Sequence, residues 1–182
     1  GFEQNYRKAI EYFEKAAKLG CPNSMHNLGI CYNTGQGVEQ NYTKAAEYYE
    51  KAAKLGFSNA MRNLGNLYYD GQGVEQNYKK AAEYYEKAAK LGNSDSMYRL
   101  GNLYYDGKGV EQNYKKAREY YEKAAELGNS NALNSLGVCY ENCNCVEDKY
   151  DHSLFSYNEI VTTHGSVESN IINFNVQINT LR

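Results

Sequence analysis

The chain repeats itself every 36 residues. Gly20, Gly56, Gly92 and Gly128 fall in one register, Gly29, Gly65, Gly101 and Gly137 in a second, and Val38, Val74, Val110 and Val146 in a third. A strict period of this length marks one supersecondary unit stacked on copies of itself. It also argues against an enzyme, because a repeated unit has no place for a unique catalytic group. No Ser/His/Asp or Cys/His/Asn set is discernible, and the carboxylates alternate with lysines. Neither catalysis nor a cofactor is expected.

The period divides the chain into units at 21–56, 57–92 and 93–128, after a trailing half-unit at 1–20. A diverged unit follows at 129–164, and a non-repeating segment at 165–182. Each unit carries two helical stretches. The first, such as Ser58 to Tyr69, opens on Ser58, Ser94 or Ser130, whose hydroxyl suits an N-cap. The second, such as Asn77 to Leu91, opens on Asn41, Asn77 or Asn113 and closes at Gly56, Gly92 or Gly128, as left-handed caps do.

On the second helix, Tyr78, Ala81, Ala82, Tyr84, Tyr85, Ala88, Ala89 and Leu91 share one half of the wheel. Lysines and glutamates fill the other as a solvated face, with Glu83–Lys87 and Glu86–Lys90 at i,i+4. Between the helices, Gly71-Gln72-Gly73 predicts a tight turn of positive φ. It is no phosphate loop, since no Lys-Ser/Thr follows. Gly65 and its equivalents lie inside the first helix, and their recurrence predicts close backbone contact with the next one.

The 182 residues carry a net charge of -2, which gives no basic stripe for nucleic acid. No run of about 18 apolar residues is present to span a bilayer. The opening Gly1-Phe2-Glu3-Gln4-Asn5-Tyr6 matches Gly37 to Tyr42 one period later, so the sequence reads as a segment cut from a longer protein.

Comparing the units with one another separates scaffold from surface. In the first helix, Ala60, Met61, Leu64, Gly65, Leu67 and Tyr68 recur and fill one arc. Positions that differ lie opposite: His26, Ile30 and Asn33; Arg62, Asn66 and Tyr69; Tyr98, Asn102 and Tyr105; Asn134, Val138 and Glu141. Stacked units align these triplets in rows, on the surface that solenoids use for binding. His26, Asn33, Arg62, Asn66, Tyr69, Tyr98, Asn102, Tyr105 and Asn134 are therefore the candidate partner-binding residues. Tyr and Arg are favoured there because they bring large contact area at limited entropic cost.

Five cysteines are irregularly placed. Cys31 and Cys139 take the slot of Leu67 and Leu103 and read as small buried apolar residues. Cys143 and Cys145 replace the two turn glycines of the fourth unit, and with Cys139 and His152 they invite a zinc reading. Drift in a terminal repeat is preferred, because the usual Cys-x2-Cys pairing is absent. In the last segment, Val167, Ile171, Phe174, Ile178 and Leu181 fall in a helical stripe suited to capping the array, while Phe174, Val176 and Ile178 also alternate as a strand would; the helix is preferred.

Ala60, Leu64-Gly65, Leu67-Tyr68, Gly71, Gly73-Val74, Lys80-Ala81, Tyr85, Ala88-Ala89 and Gly92 together resemble the Sel-one-like repeat (SLR) family, a relative of the tetratricopeptide repeat. The resemblance covers roughly residues 1–140. It implies an all-α fold, a right-handed superhelical α-solenoid of helix-turn-helix hairpins. It also implies an adaptor or scaffold that binds a partner protein or peptide along the concave face. The alternative is a regulatory array of a larger enzyme, such as a protein kinase, with catalysis outside this segment. In the secreted, disulfide-stapled branch of the family, cysteines occupy the places held here by Ala53 with Met61, Ala89 with Met97, and Ala125 with Leu133. Their absence favours a cytoplasmic setting.

Overall fold

The structure, a computed structural model, describes residues 2–142. Among these there are eight helices and no strand: α1 (Phe2–Lys18), α2 (Pro22–Thr34), α3 (Tyr42–Lys54), α4 (Ser58–Asp70), α5 (Tyr78–Lys90), α6 (Ser94–Asp106), α7 (Tyr114–Glu126) and α8 (Ser130–Glu141). Helices α2 and α3, α4 and α5, and α6 and α7 pack as hairpins, and each hairpin packs on the next through α3 with α4 and α5 with α6. This is the all-α solenoid that the period implied. The diverged repeat beyond Asn142, the 165–182 segment, Cys143, Cys145 and His152 lie outside the described residues.

Alanine sets the closeness of the helices. Ala45, Ala52, Ala60, Ala81, Ala88, Ala117, Ala124 and Ala132 are wholly buried, alongside Leu64, Leu67, Leu100 and Leu103. Each hairpin then seats one tyrosine of its second helix on a glycine of its first. A Cβ on Gly65 would lie 2.6 Å from Tyr85 Cε1, and one on Gly101 2.5 Å from Tyr121 Cε1; Gly29 makes the same contact with Tyr49. The recurrent mid-helix glycine therefore admits an aromatic ring above all, and at Gly101 also the expected backbone of the next helix, with Ala117 O 3.2 Å from the same Cβ position. Cys31 and Cys139 are buried in the leucine slot, Cys31 beside Ile10 and Leu28, Cys139 beside Ala132.

The second helices close in one way. Gly56 takes φ 83°, its N–H donates to Ala53 O and the following Phe57 N–H to Ala52 O. Gly92 with Asn93, and Gly128 with Asn129, do the same. This is a Schellman cap, which satisfies carbonyls that the helix leaves open. It also corrects the expected start of the first helices. Because the N–H of Asn93 and Asn129 is committed to the preceding helix, those residues become the extended hinge, and the serines fall one place inside. Asn93 and Asn129 are the N-caps, accepting from Ser96 N at 2.9 Å and Ala132 N at 3.0 Å, while Phe57 caps α4 without a side-chain bond. Asn41, Asn77 and Asn113 cap the second helices as the sequence indicated, each accepting at 2.9 Å from Lys44, Lys80 and Lys116 N.

The linker is clamped at both ends. Asn77 N–H donates to Tyr68 O at 2.8 Å and Gln76 Nε2 to Tyr69 O at 3.0 Å, closing open carbonyls of α4. The two linker glycines have different tasks. Gly71 (φ 72°) ends α4, whereas a Cβ on Gly73 (φ 68°) would collide with the backbone of Tyr42 and Thr43 in the preceding unit. Gly109 meets Tyr78 and Lys79 in the same manner.

Candidate protein-interaction surface

The variable positions of the first helices fall into three physical groups. Asn66 and Asn102 are half-buried and hold up the scaffold. The Tyr85 hydroxyl donates to Asn66 Oδ1 at 2.8 Å, and the Tyr121 hydroxyl to Asn102 Oδ1 at 2.8 Å. Both tyrosines are buried, and an unpaired hydroxyl there would carry a desolvation penalty of about 1–3 kcal/mol. Burial pushes the Tyr85 phenol well above its ordinary range, although the Arg99 charge pulls the other way.

His26 belongs to the junction between the first two units. It is 8% exposed, with its ring centroid 5.0 Å from Phe57 and 5.7 Å from Tyr49. Its Nε2 lies 3.1 Å from Asn63 Nδ2. Burial first, and the Arg62 charge second, hold its pKa below the usual imidazole value, against a bond with Asn27. Tyr49 is pushed up to about 12 by the same burial, with Asn63 and Arg62 opposing. So enclosed a histidine offers a partner little surface.

The remaining residues are accessible and mostly held in place. Arg62 pairs with Asp95 of the next unit, and its Nη2 donates to Asn63 Oδ1 at 3.3 Å. Tyr69 stands edge-on to Tyr78 at 5.1 Å, and Tyr105 to Tyr114 at 5.2 Å. Tyr98 tilts against Tyr121 at 6.0 Å. Asn33 is half-buried and its carbonyl accepts from Gln40 Nε2 at 2.8 Å, while Asn134 is exposed. Arg62, Tyr69, Tyr98 and Tyr105 thus hold defined orientations against neighbouring side chains.

Two participants escaped the sequence reading. Asp95 accepts from Asn129 Nδ2 at 2.9 Å as well as pairing with Arg62, so it ties three consecutive units together. Lys108, in the linker of the third unit, lies 3.5 Å from the Tyr69 hydroxyl and 3.1 Å from Asp106. Both stand where other units carry Asn or Gln. That substitution was the signal available.

On the opposite side the charged face is partly organised by aromatics. Tyr68 and Tyr84 stack at 5.7 Å, with Lys80 Nζ 5.1 Å from one ring and Lys87 Nζ 5.1 Å from the other. The same sandwich recurs at Tyr32–Tyr48 and at Tyr104–Tyr120. Glu86–Lys90 forms the expected i,i+4 pair at 2.9 Å. No group of His, Cys, Asp and Glu able to hold a metal occurs among the described residues. No described helix is long and apolar enough to cross a membrane.

Comparison with known proteins follows this geometry closely. The Sel1 repeat family model matches residues 1–21, 22–57, 58–93 and 94–129. Among solved structures, the chain is similar to c5321, a protective antigen of uropathogenic Escherichia coli with an SLR fold, at 37% identity and a TM-score of 0.74. That match covers 76% of this chain and 30% of the other. A Sel1 repeat protein from Oxalobacter formigenes matches at 33% identity and a TM-score of 0.69, over 80% of this chain and 62% of that one. Helicobacter pylori cysteine rich protein B matches at 33% identity and a TM-score of 0.60, over 74% and 97%. In this chain Ala53 and Met61, the places of one staple in the disulfide-bearing branch, are both buried in one apolar cluster. No curated protein matches in sequence. Members of the matched family are non-catalytic repeat proteins that generally act as protein-interaction scaffolds. The 36-residue hairpin, its tyrosine seated on glycine and its glycine-turned linker place this chain in the Sel1 repeat family.

Proposed function

We propose that this chain is a scaffold that holds a partner protein or peptide along the row formed by α4 and α6, on the concave side of the solenoid. The observation that carries the reading is the preorganisation of that row. Arg62, Tyr69, Tyr98 and Tyr105 are partly exposed and already fixed by Asp95, Tyr78, Tyr121 and Tyr114. Side chains immobilised beforehand lose less entropy on binding, and aromatic and Arg anchors are the residue types that dominate interface energies. Asn33 and Asn134 extend the row toward either end. His26, being enclosed, would contribute through the junction it supports. No observation favours a regulatory array of a kinase.

The test is affinity capture with the chain and with a variant carrying Arg62→Ala, Tyr69→Ala, Tyr98→Ala and Tyr105→Ala. Loss of the captured partners, with helical content unchanged by circular dichroism, is the expected result. An unchanged set of partners on a folded variant would sink the reading.

A further inference from the structure

One set of apolar side chains recurs in every unit without being buried. Leu19, Leu55, Leu91 and Leu127 stand one period apart and are 89%, 53%, 54% and 55% exposed. The other exposed large apolar residues, Tyr6, Tyr12, Leu133, Val138 and Tyr140, lie on α1 and α8 and form no such series. Each leucine closes a second helix, the N–H of Leu55, Leu91 and Leu127 donating to Ala52 O, Ala88 O and Ala124 O. These are backbone bonds that any residue but proline would make, and the core does not enclose the side chain. Stacking therefore does not call for leucine at this place. Because the hairpins stack in order, the four leucines line one edge of the array, and an apolar row facing solvent is the mark of a contact surface.

The residue before each leucine carries a charge, and the charge changes sign along the row. It is Lys18, Lys54 and Lys90, then Glu126, all four exposed. Lys54 and Lys90 pair within their own helices with Glu50 and Glu86, at 3.0 and 2.9 Å. Glu126 has the reverse surroundings. Four residues before it stands Glu122, which pairs with Arg118 at 3.5 Å, and it lies at the C-terminal end of α7, where the helix dipole favours a cation. Local forces favour lysine at 126 as at the three earlier places, and the chain carries the opposite charge.

We propose that this leucine row docks a second copy of the chain, with the two rows antiparallel about a two-fold axis. In a two-fold contact the same patch meets itself, and a row can do so in two ways. With the axis along the row, each residue meets its own counterpart, setting Lys18 on Lys18 and Glu126 on Glu126. With the axis across the row, Leu19 faces Leu127 of the second copy, Leu55 faces Leu91, and Lys18 faces Glu126 at both ends. Like charges oppose a contact and opposite charges fix its register, so the reversed charge at 126 selects the antiparallel arrangement. At the centre, Lys54 faces Lys90 of the second copy, and each brings its own glutamate. An acidic partner would be served best by lysine at all four places. A row cationic at one end and anionic at the other is complementary to itself. None of these residues belongs to the row proposed to hold a partner, so the two readings stand or fall separately.

The test is analytical ultracentrifugation of the whole chain across the micromolar range, with reductant present so that no cysteine forms an intermolecular disulfide. The wild type is expected to show a reversible monomer–dimer equilibrium. Leu55→Asp combined with Leu91→Asp changes only exposed side chains, and is expected to yield a monomer of unchanged helical content. Lys18→Glu or Glu126→Lys alone is expected to weaken the dimer about tenfold, because each reversal puts like charges together at two places in one dimer. Lys18→Glu and Glu126→Lys together restore the opposite charges, and with them the affinity. Glu126→Lys also gives Glu122 a lysine at i+4, so the melting temperature of its monomer should not fall, which separates a lost contact from a lost fold. A chain that stays monomeric at every concentration would overturn the proposal. So would a dimer indifferent to the leucine substitutions, or a leucine-dependent dimer that the paired charge reversal fails to restore.

Discussion

Gly65 sits in the interior of α4, where alanine would favour the helix by about 1 kcal/mol. The Tyr85 ring occupies the space a side chain would need, with the Cβ of an alanine only 2.6 Å from Tyr85 Cε1. Tyr85 is fully buried and its hydroxyl is tied to Asn66, so the ring has no direction in which to yield. Gly65→Ala is therefore expected to destabilise the fold by about 1–3 kcal/mol in urea denaturation, despite its better helix propensity. In a Tyr85→Leu background the same change should cost little or turn favourable. An equal cost in both backgrounds would refute the ring contact as its cause. The recurrence of this glycine was visible in the sequence, but its contact was not, because periodicity reports that a position is constrained and stays silent on what constrains it. Asn66 and Asn102 show the converse. They were picked out because Ile30 and Val138 replace them, yet each is half-buried and accepts a structural bond from a buried tyrosine hydroxyl.

At the scale of the element, each helix end depends on its neighbour more than on its own residues. Asn93 and Ser94 are both competent N-caps, and side-chain preference alone does not choose between them. The Schellman closure of α5 chooses, since it engages the Asn93 N–H with Ala88 O. The linker glycines divide in the same way. Positive φ at Gly71 and Gly73 was expected from the Gly-x-Gly spacing, but Gly71 serves its own helix and Gly73 serves the unit before it. Replacing either by alanine costs about 1 kcal/mol for the left-handed backbone. Gly73→Ala must in addition push Tyr42 and Thr43 away, so it is expected to lower the melting temperature by more than Gly71→Ala does. Equal losses in thermal denaturation would show that the approach of the preceding unit relaxes at no cost. Clashes between units could not be read from sequence, because the partner backbone lies 30 residues upstream and nothing in either segment names the other.

Over the described array, stability is a sum of hairpins and junctions, and the junctions are not alike. The position held by His26 is Arg62, Tyr98 and Asn134 in the later units. The first junction alone among those described therefore encloses an imidazole, packed against Phe57 and Tyr49 and facing the Arg62 charge. Burial and that charge hold the folded pKa of His26 below 6.5. As pH falls through 6.5, the unfolded chain takes up a proton that the folded chain refuses. Stability is then full above that value and drops as the pH descends toward the folded pKa, the sign that follows when the unfolded state binds more protons. Carboxylates titrate lower and contribute to every variant alike, so the measurement is a difference. Between pH 7.5 and 5, in the range of imidazole titration, the wild type should lose stability that His26→Gln does not. Hydrogen exchange should locate the loss, with amides of α2 and α3 exposed before those of α6 and α7, because junctions in such arrays open separately. Parallel pH profiles for wild type and His26→Gln, or uniform loss of protection along the chain, would show that this junction is not the acid-sensitive one. Only the packing of His26 makes this pH dependence foreseeable, since in the sequence the residue is one more variable position on a helix face.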